Sequence, residues 1–144
     1  MKVLLIVPTF HYPDYPKWLS FSDFPSGYGY LAATLKQAGH EVIGCNPNNI
    51  VGYPSAKVML KATLTDCIQK NHPDLIGLGG LCTDYLFLRD AIAICRSITK
   101  APMVLGGQIV ANDAEFIYND LKPNYAICGE ADYAIVQIAD DLSK

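Results

Sequence analysis

The chain has 144 residues, 51% of them hydrophobic, with 11 basic against 14 acidic side chains and a net charge of −3; that is enough for one packed core spanning residues 1–144 and too little for two. With a pI near 5.4 it lacks the cationic stripe that nucleic-acid phosphates require, which excludes DNA and RNA as partners. No apolar run approaches the ~20 residues of a membrane span, and no signal-peptide pattern follows Met1, which predicts a cytoplasmic protein with reduced thiols.

Apolar runs and helical periodicities alternate along the chain. Strand one is expected over Lys2 to Val7, and a helix from about Tyr28 to Ala38 carries Leu31, Ala32 and Leu35 on one face, with Gly39 as its stop. A short second strand, Glu41 to Cys45, precedes a helix within Lys57 to Lys70, where Val58, Ala62, Thr65 and Ile68 recur at helical spacing. The turn signal Asn71-His72-Pro73-Asp74 leads into strand three, Leu75 to Gly79, and then a helix from about Tyr85 to Thr99. Strand four is Met103 to Leu105. Asn112, with Glu115 three positions on, has the pattern of a cap for a helix to Leu121; strand five is Tyr125 to Cys128, and Asp132 opens a last helix. This order predicts an α/β fold: a flavodoxin-like or Rossmann-like doubly wound sheet of five parallel strands in three αβα layers.

Two connections are long for such a fold. Pro8 to Gly27 holds His11, Tyr12, Tyr15, Trp18, Phe21 and Phe24, an aromatic density suited to covering something; Asn46 to Ala56 reads as a surface excursion. His40 and His72 read as solvated turn residues. Cys45, Cys67, Cys82, Cys95 and Cys128 are odd in number and widely spread, without the short spacings of zinc or iron–sulfur loops. Most are expected to be small buried apolar residues, and no metal site is expected.

Several motifs fail on their context. Gly27-Tyr28-Gly29-Tyr30-Leu31-Ala32 fits the dinucleotide pattern G-x-G-x-x-A, but a long loop separates it from strand one, and strand two ends in Cys45-Asn46 without the acidic residue that holds a ribose. No phosphate-binding G-x-x-x-x-G-K-[ST] loop and no G-x-S-x-G elbow occur. A phospho-acceptor receiver domain needs acidic residues after strand one and a lysine after strand five, where this chain has Pro8-Thr9 and Gly129-Glu130. What remains is glycine at three strand ends: Gly79-Gly80, Gly106-Gly107 and Gly129. In a parallel sheet ligands bind beyond the carboxyl ends of the strands, where bare backbone admits a flat group.

The ordered set Lys2-Val3-Leu4-Leu5-Ile6, Gly29-Tyr30-Leu31-Ala32-Ala33-Thr34-Leu35, Ala38-Gly39-His40-Glu41-Val42, Pro73-Asp74-Leu75-Ile76-Gly77-Leu78, Pro102-Met103-Val104-Leu105-Gly106-Gly107 and Gly129-Glu130 resembles the N-terminal cobalamin (vitamin B12)-binding domain of cobalamin-dependent radical S-adenosylmethionine enzymes, over almost the whole chain. Gly79-Gly80-Leu81 and Gly106-Gly107 stand where the wider cobalamin-binding fold has a serine-x-leucine element and a glycine pair; Gly79 replaces the serine. The histidine motif D-x-H-x-x-G is absent, because Thr9, Ala38 and Lys70 precede His11, His40 and His72 at the aspartate position. The resemblance therefore implies cobalamin with its benzimidazole tail withdrawn and no histidine on cobalt. It implies a cofactor site at Thr9, Phe10, Gly79, Gly80, Leu81, Cys82, Thr83, Gly106, Gly107, Gln108, Gly129 and Glu130, with Thr83 and Gln108 as hydrogen-bond donors and Tyr12, Tyr15 and Trp18 packing on the corrin, on a second domain or into the core. The three-cysteine motif for a 4Fe-4S cluster is missing. That cluster and S-adenosylmethionine are expected only in a C-terminal radical domain of a longer enzyme, for methyl transfer, cyclisation or rearrangement, and this chain is expected to hold no catalytic residue. A stand-alone carrier or sensor, or a flavin- or nucleotide-binding enzyme domain, are the competing readings.

Overall fold

The computed structural model describes residues 1–15 and 25–144. Trp18, Phe21 and Phe24 lie outside the described residues. Five parallel strands, β1 (Lys2–Ile6), β2 (Glu41–Cys45), β3 (Leu75–Gly79), β4 (Met103–Gly106) and β5 (Tyr125–Ala126), form one sheet in the order β2-β1-β3-β4-β5. This is the predicted doubly wound fold, with its direction reversing between β1 and β3.

Helices cover both faces. Against one lie α2 (Ala56–Asn71), α3 (Tyr85–Ile98) and α5 (Ala114–Leu121); against the other lie α1 (Ser26–Gln37) and α6 (Asp132–Leu142). The first core joins Leu4, Ile6, Ile76, Leu78 and Leu105 of the sheet to Leu60, Leu64, Phe87, Leu88 and Ile92. The second, built on Val3, Leu5, Leu75, Val104 and Ile127, meets Leu35, Ile135 and Ala139. Alternate strand residues feed opposite cores because side chains of a strand point to opposite faces. No helix among the described residues is long and apolar enough to cross a membrane.

Most predicted elements are present, with shifted ends. β5 stops at Ala126 rather than Cys128, and an additional five-residue helix, α4 (Gln108–Asn112), follows β4. The cap of α5 is Asp113, not Asn112: its side chain accepts from Phe116 N at 3.1 Å. Gly39 has φ +89°, the left-handed geometry of a helix stop. His72 is exposed, as expected, but His40 is not a solvated turn residue. It is buried, its Nδ1 3.3 Å from the Met1 amine and its Nε2 3.1 Å from Asp140 Oδ1.

The two long connections hold each other. Asn48 donates to the Pro8 carbonyl at 2.9 Å and accepts from Phe10 N, while Tyr15 donates to the Ile50 carbonyl at 2.9 Å. Tyr12 stands edge-on to Phe87 at 5.6 Å between centroids and hydrogen-bonds Asp90 of α3. Both tyrosines thus serve the domain's own packing. Cys45 and Cys95 are buried and Cys67 half-buried, but Cys82 and Cys128 are exposed, against the expectation; all five are free thiols.

Candidate functional site

A cavity of about 360 Å³ opens at the carboxyl edge of the sheet, on the face covered by α1 and α6. Its floor follows from strand register. Leu5, Gly77 and Val104 are paired neighbours across β1, β3 and β4, and all three line the cavity with Leu31, Ile127 and Ile135. The alternation that gives Leu75 a side chain on this face gives Gly77 and Gly79 none, so the core has a slot where β3 is bare. A Cβ on Gly77 would stand 2.7 Å from Leu5 Cδ2 and 3.6 Å from Ile135 Cδ1. A Leu5 methyl leans over the bare position, so a side chain there would push Leu5 into the cavity and narrow it.

Two residues higher, about 6.6 Å along the strand, Gly79 pairs with Gly106. Here glycine is needed for contact between main chains. A Cβ on Gly79 would meet the Gly106 carbonyl oxygen at 2.8 Å, and one on Gly107 would meet both Gly80 N and O at 2.8 Å. Gly107 also has φ +89° and ψ −176°, a conformation open essentially to glycine alone. Ile109 N donates to the Gly80 carbonyl at 3.1 Å, and the Asp84 carboxylate accepts from Leu81 N at 2.8 Å. The two glycine loops are one interlocked wall.

Tyr28, in the first turn of α1, supplies the hydroxyl at this level. It donates to the Gly79 carbonyl at 2.8 Å, and burial raises its pKa well above the usual phenol range. At the mouth Gln108 and Glu130 are exposed and Asp132 half-buried. Among the described residues, no Lys, Arg or His lines the cavity. The site therefore grades from an apolar floor, through one phenol, to a polar and acidic rim.

Of the sequence-derived site residues, Gly79, Gly80, Leu81, Gly106, Gly107, Gln108, Gly129 and Glu130 line this cavity. Thr9, Phe10, Cys82 and Thr83 do not. Thr9 borders a separate crevice of about 20 Å³ with His11, Asp14 and Tyr15; Phe10 and Thr83 are exposed, and Cys82 Sγ lies 3.0 Å from Asn112 Nδ2. Sequence reasoning missed Leu5, Tyr28, Leu31, Gly77, Val104, Ile127, Asp132 and Ile135 as lining residues. The signal available was glycine at alternate positions 77 and 79, which marks one bare face of β3. Gly27 and Gly29 lie within α1 itself, so the G-x-G-x-x-A pattern forms helix and not a phosphate turn.

The fold and the cavity at its carboxyl edge define a doubly wound α/β ligand-binding domain. The chain belongs to the B12 binding domain family, whose model matches residues 24–139, and it is a cobalamin-binding domain. A search of curated proteins gives no sequence match. Among solved structures, the chain is similar to a radical S-adenosylmethionine methyltransferase, TsrM, from Kitasatospora setae with cobalamin and a 4Fe-4S cluster bound (TM-score 0.74, 19% identity, 99% of this chain and 24% of that one). It is also similar to the methanol:cobalamin methyltransferase complex MtaBC from Methanosarcina barkeri (0.66, 18%, 98% and 45%). A response regulator from Burkholderia multivorans shares the fold at 0.57 and 18% identity over 99% of this chain and 94% of that one. Pro8-Thr9 after β1 lack that class's acidic residues. The chain spans about a quarter of the TsrM chain.

Proposed function

We propose that this domain holds cobalamin with its nucleotide arm in the cavity between the sheet and helices α1 and α6, and with the corrin lying outside over the glycine loops. The observation that carries this is the bare slot at Gly77, walled by Leu5, Val104, Ile127 and Ile135. Its volume is at the lower end of the ~300–1,000 Å³ of small-molecule sites, suited to a flat ring and pentose and far too small for a macrocycle. Leu5, Leu31, Val104, Ile127 and Ile135 exclude water from the ring. Tyr28, Gln108 and the backbone of the loops at Gly79-Gly80 and Gly106-Gly107 hold its polar groups, and Leu81, Gly129 and Glu130 complete the mouth. Thr9, Phe10, Cys82 and Thr83 are assigned to contacts outside the cavity, on the corrin side.

Cobalt receives no histidine in this reading. His40 and His72 lie at the opposite, amino-terminal edge of the sheet, just before β2 and β3, and His11 borders the neighbouring crevice. Bound cobalamin supplies the organometallic chemistry; the chain's contribution is placement. We further infer that residues 1–144 form one module of a larger cytoplasmic radical S-adenosylmethionine enzyme, whose other part holds the cluster and the substrate. Support comes from the likeness to TsrM and the share of its length covered. The flavin reading is disfavoured by the absence of any Lys, Arg or His among the described lining residues, which places a terminal phosphate dianion beside Glu130 and Asp132.

Purified protein mixed with hydroxocobalamin and desalted is expected to retain the corrin visible spectrum, unchanged in a His11→Ala variant. Protein that emerges free of corrin, or that retains riboflavin phosphate instead, overturns the assignment. A spectrum altered by His11→Ala overturns the histidine-free arrangement alone.

A further inference from the structure

We propose that the cavity selects the base at the end of the arm by polarity, preferring an alkylated benzimidazole to a purine. The inference rests on the cobalamin reading above and adds to it a ligand subclass. It follows from the vertical order of the lining. In either base the six-membered ring is the edge farthest from the ribose, so it reaches the floor first. That floor is the register row Leu5, Gly77 and Val104, closed by Ile127 and Ile135, with no polar side chain at its level among the described residues.

Methyl groups on a benzo ring meet these aliphatic walls as apolar surface leaving water. A purine brings ring nitrogen to the same place, and its hydrogen bonds to water are lost without replacement. The Tyr28 phenol does not rescue them. It is tied to Gly79, about 6.6 Å above the Gly77 row, at the height of the ribose and the glycosidic nitrogen. Backbone of the floor strands is spent within the ladder that pairs β1, β3 and β4. Gln108 and Glu130 are exposed at the rim, farther still.

The test is equilibrium binding to the purified chain, followed by visible absorption, of three corrinoids: hydroxocobalamin, the cobamide with adenine as lower base, and cobinamide, which lacks the arm. Hydroxocobalamin is expected to bind at least about tenfold more tightly than the adenine form, with the adenine form close to cobinamide. Val104→Thr, a near-isosteric change that puts a hydroxyl on the floor, is expected to narrow the gap. Equal affinity for the two complete cobamides, both above cobinamide, overturns the selectivity while leaving the arm in the cavity. Equal affinity for all three removes the arm from the cavity, and the selectivity with it.

Discussion

Glycines that look equivalent in the sequence differ in what surrounds them. At Gly79 an added methyl group meets a carbonyl oxygen of the neighbouring strand, and at Gly107 it meets backbone on two sides in a conformation alanine avoids. Gly79→Ala is expected to cost about 1–3 kcal/mol by overpacking, and Gly107→Ala more, as read from urea unfolding midpoints. Gly77→Ala meets only the flexible end of Leu5. Its stability is expected to stay within about 1 kcal/mol of the parent, while the retained fraction of hydroxocobalamin falls, because the methyl group pushes Leu5 into the cavity. Should all three lose stability alike, the slot at Gly77 is no more than packing.

Titration separates the cores in a different way. Burial pushes the Cys95 thiol up to about 12 and raises Tyr28 and Tyr12, the latter also through its bond to Asp90. For each group the folded state favours the protonated form. The resulting stability is complete below the ordinary value, near 9 for the thiol and 10 for the phenols, and is lost as pH climbs above it. Unfolding free energy is therefore expected to fall between pH 9 and 11; below pH 9 the Cys67 thiol, lowered by its hydrogen bond with Cys45, works in the opposite direction. Cys95→Ala should remove its own share of the slope that begins near pH 9, the rest remaining with the Cys45 thiol, which its hydrogen bond with Cys67 and its burial also raise.

At the scale of elements, the strands were legible because each is a short, continuous apolar run. Such runs suit a parallel sheet buried on both faces. The segment after β4 was less legible. α4 is too short to show a period, and its start depends on Gly107 being left-handed. Asn112 and Asp113 are both competent caps in sequence; only the chain's direction out of α4 decides for Asp113. Asp113→Ala is expected to cost about 1 kcal/mol, and Asn112→Ala much less, in thermal unfolding. His40 was misread for a related reason. Its burial comes from the chain terminus and from Asp140 of α6, one hundred positions away, and no local pattern carries either contact.

For the molecule as a whole, the site was legible at its rim and illegible at its floor. The glycine pairs announce strand ends, whereas the floor needs the register of three strands and two helices closing over it. That construction has a mechanical consequence. α6 follows the two-residue strand β5 and packs mainly on α1, so the wall of the cavity hangs on the weakest edge of the sheet, and local opening is expected to begin there. Amides of α6 should exchange hydrogen faster than those of α3, whose Phe87, Leu88, Ala91 and Ile92 are buried. A ligand arm lying between the sheet and both helices binds the closed state alone. At a hundredfold excess over its dissociation constant it adds about 2.7 kcal/mol, which for a domain of this size corresponds to a rise of roughly 5–10 °C in Tm. Slowed exchange should be concentrated in α1 and α6, with α2 and α3 slowed only to the extent of the global gain. Uniform slowing, or none in α6, would place the ligand somewhere other than beneath that helix.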